Sequence, residues 1–478
     1  MSLRKQATTG MVWTFAQQFG NQLVGFFVSL LLARLLLPEE FGLIGMIAIF
    51  VAIGNTLLNG GLTSSLIRSQ DLDEDYFSTV FFFNLGASVV IYIFIFFLAP
   101  AIANFYNQEI LTNLLRVYSL TFIIQALSAV QLARLTKKMD FKTQTVISIP
   151  ATLIGGLLGI WLAFRGYGVW SLVLSYMTTS FLTTIQLWYY SKWVPVLVFN
   201  LSKFRNHINF GYKLTLSGLL DTIFSNLYII IIGKYFSAAQ VGYYTRAETM
   251  KQLPVINISN ALNKVTYPLF SGIQDDKIRL KRVYKQIMQM VIFVIAPILI
   301  LLAVLAEPTF RFLFTEKWLP AVPYFQILCV TGILYPIHAY NLNILAVKGR
   351  SDLVLKLEVL KKIIIVLTIL VAIKYGIIGL LYGQVITSII AFIINSHYTG
   401  RLIDYNALEQ LKDVFPAIII ATIAGATVLI FDLFYLSGML DLLRIMIGIL
   451  VGFLIYISLA YILKINSLKD IKTLLKNK

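Results

Sequence analysis

The sequence predicts an all-α polytopic membrane protein with about 14 transmembrane helices. Two observations lead to this prediction. First, 58% of the 478 residues are apolar, 13% are charged and the mean hydropathy is +0.82, whereas soluble domains have roughly 25% charged and 45–50% apolar residues. Second, the apolar runs are long and do not alternate with polar residues, which is typical of membrane helices and not of a transmembrane barrel.

A helix that crosses the hydrocarbon of a bilayer needs about 20 mostly apolar residues. Arg4 and Lys5 precede the first apolar run as they would in a signal peptide, but this run is too long and no small-residue cleavage motif follows it. We therefore expect it to be retained as the first span. The fourteen predicted spans, numbered in chain order, are 12–37, 41–66, 77–98, 112–134, 143–164, 167–190, 212–235, 239–270, 285–306, 319–347, 353–374, 376–399, 414–435 and 441–463.

The net charge of +17 raises the question of a nucleic-acid partner. Most basic residues, however, fall in loops that the alternating spans place on one side of the membrane, with clusters at 134–142, 277–285 and 464–478. Cytoplasmic loops of membrane proteins carry such an excess of Lys and Arg. The distribution therefore predicts cytoplasmic termini, and no nucleic acid is needed to explain the charge.

The chain repeats itself after six spans. The end of span 1, ARLLLPEEFG (33–42), is similar to the end of span 7, GKYFSAAQVG (233–242), and Gly42 matches Gly242 at an offset of 200. Because six is even, both copies enter the membrane from the same side, as in transporters built from parallel repeats. Two further matches follow in the same order at offsets up to 209, namely 99–106 with 307–314 and 163–168 with 372–377.

The repeat predicts three parts of the chain: a six-helix bundle at 1–200, a second six-helix bundle at 201–402, and two additional helices with a basic cytoplasmic tail at 403–478. Two bundles that face each other leave a cavity between them, where secondary transporters bind their substrates. A chance coincidence of short loop motifs is the alternative explanation for the matches.

Several spans carry polar side chains for which contact with lipid gives no reason. In span 1, Gln18, Asn21 and Gln22 share one face at 100° per residue, which indicates either a wet cavity wall, the interpretation that we favour, or hydrogen bonds between packed helices. Asp432, near the end of span 13, is expected at the membrane interface. The predicted polar lining of the cavity comprises Gln18, Asn21, Gln22, Asn55, Asn59, Asn257, Asn260 and His338, although His338 is more readily explained as a hydrogen-bonded core histidine.

Span 8 carries charges where its neighbours contain Leu, Ile and Phe. Arg246, Glu248 and Lys251 lie within six residues, and Lys264 follows further along the span. A charge at the centre of a membrane helix costs about 2.5–3.5 kcal/mol and indicates a functional site. These cations outnumber Glu248 and the nearby Asp221 of span 7, which predicts an anionic substrate. Glu248 and Lys251, three residues apart, can instead form a structural ion pair.

No catalytic or cofactor motif is found in the sequence. It contains no P-loop GxxxxGK[ST], no HExxH and no Cys/His spacing typical of zinc sites. The longest stretches between spans, near 191–211 and 271–284, are too short for a catalytic domain, and the single Cys329 excludes an internal disulfide. We expect a transporter and not an enzyme, with neither cofactor nor metal.

Five segments carry a resemblance to a known family: LLARLLLPEEFGLIGM (31–46), MDFK (139–142), GYGVWSLV (166–173), GYYTRAETMKQLP (242–254) and YPLFSGIQDD (267–276). In this order, and within a plan of twelve spans followed by two, the sequence resembles the Wzx-type polysaccharide transporters of the multidrug/oligosaccharidyl-lipid/polysaccharide (MOP) flippase superfamily. The last two spans are the least typical part of the chain.

The resemblance implies a flippase of the bacterial cytoplasmic (inner) membrane. Its substrate would be an undecaprenyl-pyrophosphate-linked oligosaccharide, a repeat unit of a polysaccharide or O-antigen, and a polysaccharide polymerase with chain-length machinery would be a partner. Arg246, Lys251 and Lys264 would then bind the pyrophosphate, because Arg and Lys both bind phosphate. Asp221 and Glu248 would couple transport to an ion.

One position departs from the family pattern. Related sequences often have an acidic residue where Tyr228 follows Asn226 and Leu227, so coupling here would rest on other acids. Two other functions stay open at this stage. An ion-coupled drug or metabolite exporter of the same superfamily would be expected to have a more acidic cavity, and a membrane glycosyltransferase or ligase would be expected to have a larger outer loop.

Overall fold

The structure is a computed structural model that describes residues 3–59, 66, 74–200, 212 and 215–476. Within these ranges, the side chains of residues 3–7, 59, 260–265, 471–472 and 474–476 are not described. Every regular element in this part of the chain is helical. The chain forms two compact units, Met1–Gly242 and Tyr243–Lys478. The predicted division at residues 200 and 402 stays a prediction.

In the first unit, ten helices of defined extent begin in the described part of the chain, and α10 continues into the second unit. They are α1 (Leu3–Leu35), α2 (Pro38–Asn59), α3 (Glu74–Tyr106), α4 (Ile110–Tyr118), α5 (Leu120–Lys137), α6 (Phe141–Phe164), α7 (Val169–Ser191), α8 (Thr215–Ser225), α9 (Leu227–Tyr235) and α10 (Ala238–Gly272). The second unit adds α11 (Lys277–Val304), α12 (Ala306–Phe314), α13 (Val322–Val347), α14 (Ser351–Ala372), α15 (Gly376–Ile403), α16 (Ala407–Phe431), α17 (Asp441–Ile462) and α18 (Asn466–Lys476).

The predicted fold class is confirmed, since each predicted span is mostly helical over its described residues. The number fourteen stays a prediction. In the described part of the chain, nine helical segments are long and apolar enough to cross a membrane, or ten with the bent pair α8–α9. One of these segments, Ser351–Ile403, contains two predicted spans, and the polar helices α1 and α10 are not among the nine.

Large apolar side chains cover the outside of the helices. Phe97 is 76% exposed, Val90 65% and Leu450 59%. In water such extended apolar surfaces would cause aggregation, whereas in a bilayer they contact acyl chains. The chain is therefore a multi-pass membrane protein.

Polar caps define where several helices begin. The Asp140 carboxylate accepts a hydrogen bond from the Thr143 backbone N–H at the start of α6 (3.1 Å), and Asp276 caps α11 by accepting from the Arg279 N–H (2.9 Å). A cap of this kind stabilises a helix by about 1 kcal/mol. These short sequence signals fix the ends of helices whose apolar interiors alone would leave the boundary undefined.

In the first unit, the repeat motif of the sequence appears as a close crossing of two helix starts. A Cβ atom at Gly42 would lie 1.7 Å from the Ala238 carbonyl oxygen, and one at Gly242 would lie 2.0 Å from the Pro38 carbonyl oxygen. Both residue pairs are related by the same offset of 200. The crossing is therefore symmetric under the repeat and requires glycine at both positions.

In the second unit, ion pairs join the start of α11 to the start of α16. Three lysines spaced one turn apart on α11 lie within 3 Å of carboxylates that follow α15. The pairs are Lys277–Asp404 (2.6 Å), Lys281–Glu409 (2.9 Å) and Lys285–Asp413 (2.7 Å). This part of the basic cluster at 277–285 thus has a structural role in addition to setting topology.

A buried ion pair joins the two last predicted spans. Arg444 of α17 donates from Nε to Asp432 Oδ1 (2.9 Å) and from Nη2 to Oδ2 (2.7 Å), and Asp441 lies between Arg444 and Arg311 of α12 (3.4 and 3.3 Å). Asp432 is only 4% exposed, so it is buried within the protein, and its expected position at the level of the membrane interface stays a prediction. Its carboxylate is shielded by the bidentate arginine.

Breaking this pair should destabilise the protein strongly. Arg444→Met leaves the Asp432 carboxylate buried without its cation, which typically costs 3–5 kcal/mol. The double variant Asp432→Leu/Arg444→Met should recover most of the loss, because it leaves no uncompensated charge. Thermal unfolding in detergent measures both, and a double variant as unstable as the single one would contradict this explanation.

Candidate functional site

The buried cation Arg246 lies on α10 in the second unit. Only 8% of the residue is exposed, and its guanidinium carbon lies 4.9 Å from the ring centre of Phe314 and 5.1 Å from that of Trp318. Trp318 belongs to the turn Glu316–Ala321, which joins α12 to α13. Cation–π contacts of this kind compensate part of the lost hydration and are worth about 2 kcal/mol when desolvated. They hold the charge inside the unit.

Lys251 lies one and a half turns further along α10. Its Nζ atom is 2.6 Å from Glu248 Oε1, so the predicted contact between these two residues is present. The aliphatic stem packs on α13, where a Cβ at Gly332 would be 3.1 Å from Lys251 Cγ. Gln252 also donates to Glu248 Oε1 (2.7 Å), whereas Glu248 Oε2 is buried with no hydrogen-bond partner among the described residues. The ion pair thus leaves one carboxylate oxygen of Glu248 without a hydrogen bond in the described part of the chain.

A double-mutant cycle should detect the coupling of Glu248 and Lys251. We expect Glu248→Gln and Lys251→Gln to cost roughly 1–3 kcal/mol each, with a coupling energy of similar size, because the pair is mostly buried. The same cycle at the exposed pair Arg350–Asp352 (2.9 Å) should give at most about 1 kcal/mol. Equal coupling energies at the two pairs would show that Glu248 and Lys251 gain nothing from burial.

In the first unit, Asn21 joins α1 to α6. Its Nδ2 donates to Ser148 Oγ (3.2 Å), and its Oδ1 accepts from Thr152 Oγ1 (3.4 Å). Asn21 therefore makes the interhelical hydrogen bonds that the sequence left as the alternative to a cavity wall. Gln18 is exposed and Gln22 half-buried on the same helix, so the polar face of α1 contains both packed and accessible positions.

Span 7 is not one straight helix. The helices α8 and α9 are bent by 44°, and Asn226 lies at the break, where its Nδ2 donates to the Thr222 carbonyl oxygen (2.8 Å). Asn side chains compete in this way with the backbone hydrogen bonds of a helix. The sequence predicted an uninterrupted span at 212–235, and the side chain of Asn226 is the physical reason for the difference.

Polar groups of α2 lie against this broken span. Thr56 Oγ1 is 3.0 Å from Thr222 Oγ1, and the neighbouring Asn55 has a buried Oδ1 with no hydrogen-bond partner among the described residues. Asp221, adjacent to Thr222, is exposed. The structure thus places the predicted residues Asn55 and Asp221 on two helices in contact, next to an interruption of the backbone ladder.

His338 lies inside the second unit, between α13 and α15. Its Nε2 is 2.9 Å from Ser388 Oγ, which agrees with a hydrogen-bonded core histidine. Span 10 also carries the polar residue Asn341, and sequence reasoning missed its partner: Asn341 and Gln410 exchange hydrogen bonds (3.0 and 3.2 Å) with both residues fully buried. It also missed Asn395, whose amide is buried without a partner in the described residues. Isolated amides in apolar runs gave no pattern that would have identified them.

Of the remaining predicted residues, Asn257 has a described side chain, which is not part of these clusters. Asn257 is exposed, and its Nδ2 donates to the Leu253 carbonyl oxygen within α10 (2.8 Å). The side chains of Asn59, Asn260 and Lys264 lie outside the described residues. The predicted residues of the first unit are thus centred on α1, α2 and α8, and those of the second on α10 and α13.

An all-helical membrane protein with buried cations and a broken helix has the features of a transporter. The family described as "polysaccharide biosynthesis protein" matches residues 31–323, more than half of the chain. The chain therefore belongs to this family, and the resemblance that the five sequence segments carry is confirmed.

Curated relatives span most of the chain. The lipopolysaccharide biosynthesis protein WzxC of Escherichia coli (strain K12) is 25% identical over 83% of this chain and 81% of its own length. The succinoglycan biosynthesis transport protein ExoT of Rhizobium meliloti (strain 1021) is 26% identical over 70% of this chain and 67% of its own length.

The fold has a solved counterpart. The structure of the lipid II flippase MurJ in an inward closed conformation superposes with a TM-score of 0.76, covering 95% of this chain and 98% of that one at 16% identity. The superposition establishes a shared fold. Fold alone does not define a substrate.

Proposed function

We propose that this protein is a flippase that moves an undecaprenyl-pyrophosphate-linked oligosaccharide, a repeat unit of a polysaccharide or O-antigen, from the inner to the outer leaflet. Membership of a polysaccharide biosynthesis family and a fold shared with a lipid II flippase support this proposal. The observation that carries it is the buried Arg246, because an ionisable residue inside a membrane protein is by default a candidate functional site, and a cation suits an anionic substrate.

The chemistry of the substrate explains why such a site is needed. A sugar pyrophosphate cannot enter hydrocarbon unaided, since its charges would lose their hydration. Arg246 can bind phosphate oxygens bidentately, and Lys251 and Lys264 act as point charges. Glu248, which holds Lys251 at 2.6 Å, competes with the phosphate and limits its affinity, so that the head group can leave.

The polar side chains would line the route of the sugar. Amides offer both donors and acceptors to hydroxyl groups; the proposed set is Gln18, Asn21, Gln22, Asn55, Asn59, Asn257, Asn260 and His338. We assign ion coupling to Asp221, beside the break between α8 and α9, and to Glu248 with its free Oε2. Helix interruptions at membrane depth are recurrent ion and substrate sites of secondary transporters.

The proposal includes the cellular setting. The protein would lie in the bacterial cytoplasmic membrane with both termini in the cytoplasm, an orientation that the basic clusters support, and two six-helix repeats would alternate access by rocking. No ATPase or catalytic motif is found in the sequence, so the protein would act as a secondary transporter. The product in the outer leaflet would pass to a polysaccharide polymerase.

A reconstitution experiment tests this function. The purified protein in liposomes should carry a fluorescent undecaprenyl-pyrophosphate oligosaccharide to the opposite leaflet, well above the rate in empty liposomes. The same liposomes should not move a cationic dye, the substrate class expected of a drug exporter with an acidic cavity. Dye transport without flipping, in protein that is folded, would favour the exporter.

A further inference from the structure

An open cavity lies at one end of the second unit, away from Arg246 and Lys251. It has a volume of about 180 Å³ and is formed where α16 begins and α17 turns into α18, beside α11. Its polar lining consists of Gln289, Lys412, Asp413, Lys464, Asn466 and Ser467. All but Gln289 belong to the part of the chain at 403–478, which is not part of the sequence repeat.

The local sequence explains how the cavity forms. Lys464 adopts φ = 51°, a left-handed conformation that is uncommon for residues other than glycine. This residue ends the turn after α17 and directs the chain into α18, which packs against α11. The turn brings Lys464 and Ser467 to the rim of the space below α16.

The charge balance of the cavity is positive. The Asp413 carboxylate is already compensated, because Lys285 Nζ lies 2.7 Å from its Oδ1 and the Tyr405 hydroxyl donates to its Oδ2 (2.6 Å). In contrast, Lys412 and Lys464 form no ion pair with a carboxylate in the described part of the chain. Two ammonium groups thus share one cavity whose only acid is already paired.

Apolar surface adjoins this positive cavity. Phe415, one residue before the lining Pro416, is 56% exposed, and Ile462 and Leu463, just before Lys464, are 68% and 58% exposed. A soluble anion would gain nothing from these side chains. A phospholipid would place its head group in the cavity and its acyl chains along them.

We propose that this cavity binds a phosphate group, carried by the head group of an anionic phospholipid. Lys412 and Lys464 neutralise the phosphate, and Asn466 and Ser467 donate hydrogen bonds to its oxygens. Basic pockets between membrane helices bind phospholipid head groups in this way. The bound lipid holds α16, α17 and α18 to α11, which gives the two additional spans a function of their own.

Thermal unfolding of the full chain in mixed micelles tests the proposal. Phosphatidylglycerol should raise the unfolding temperature above the value in phosphatidylcholine, and titration should yield an apparent dissociation constant. In Lys412→Gln/Lys464→Gln the apparent dissociation constant should rise roughly 30-fold, because two cations near the membrane surface are lost. The charge-matched control Lys138→Gln/Lys356→Gln should leave it unchanged.

Further measurements distinguish a phospholipid from a soluble phosphate as the ligand of the cavity. If inorganic phosphate alone reproduces the shift, the ligand is a soluble phosphate and the assignment to a lipid is wrong. If phosphatidylglycerol stabilises both double variants equally, the cavity does not bind it. Equal unfolding temperatures of all variants in phosphatidylcholine show that the substitutions themselves leave the fold intact, and Lys464→Arg, which keeps the charge, should retain binding.

Discussion

Arg246→Ala/Lys251→Ala should lower the flipping rate of a pyrophosphate-linked oligosaccharide by about 100-fold or more. Each hydrogen bond from a charged group to phosphate is worth roughly 1.5–3 kcal/mol, and two such losses correspond to at least two orders of magnitude. Arg246→Lys should give an intermediate rate, because it keeps the charge but not the bidentate geometry. Flipping in liposomes, normalised to the amount of folded protein, measures both variants.

The control for this prediction addresses the ion pair. Glu248→Gln/Lys251→Gln removes both partners and leaves no uncompensated charge, so its unfolding temperature, compared with that of the double alanine variant, reports how much of the effect comes from the fold. A folded double alanine variant that flips at the wild-type rate would remove Arg246 and Lys251 from the proposed path. If the double alanine variant is unfolded and Arg246→Lys is fully active, Arg246 and Lys251 have a structural role and do not bind the substrate.

Gly42→Ala should destabilise the protein by about 3 kcal/mol. In most helix interiors this substitution is stabilising by up to about 1 kcal/mol. Here the new Cβ would lie 1.7 Å from the Ala238 carbonyl oxygen, and a backbone atom cannot move aside as a flexible side chain would. Overpacking costs 1–3 kcal/mol and occasionally more, so the close approach decides the sign.

The symmetric and control positions sharpen this prediction. Gly242→Ala should cost about as much, since its Cβ would lie 2.0 Å from the Pro38 carbonyl oxygen. Gly86→Ala on α3 has no atom within 4 Å of its Cβ and should leave the unfolding temperature unchanged or raise it. Three variants of equal stability would show that the crossing relaxes without cost.

The helices could be predicted because apolar run length reports directly on the bilayer. The windows at 143–164 and 441–463 agree closely with α6 and α17, whose ends are set by local signals such as Asp140. The break at Asn226 could not be predicted in this way. The break depends on the Asn226 side chain, which donates to the Thr222 carbonyl oxygen (2.8 Å). Mostly apolar residues flank Asn226 on both sides, so the length of the apolar run does not reveal the break.

The site was predictable in its residues and less so in their partners. Span 8 stood out because charge in an apolar helix is costly, and spacing alone predicted the contact of Glu248 with Lys251. The rings of Phe314 and Trp318 around Arg246 come from residues some seventy positions away, a distance over which helix periodicity carries no information. The bidentate contact between Asp432 and Arg444 could not be predicted either, because the two residues lie on opposite sides of the turn before α17, where helix periodicity does not continue.

The most direct test of the proposed anion path compares three lipids that carry the same oligosaccharide. The link to undecaprenol is a pyrophosphate in one, a monophosphate in the second and a neutral group in the third. With wild-type protein in liposomes we expect the pyrophosphate to flip fastest and the neutral lipid slowest, and Arg246→Ala should reduce this difference. Equal rates for the three lipids would contradict a path built around buried cations.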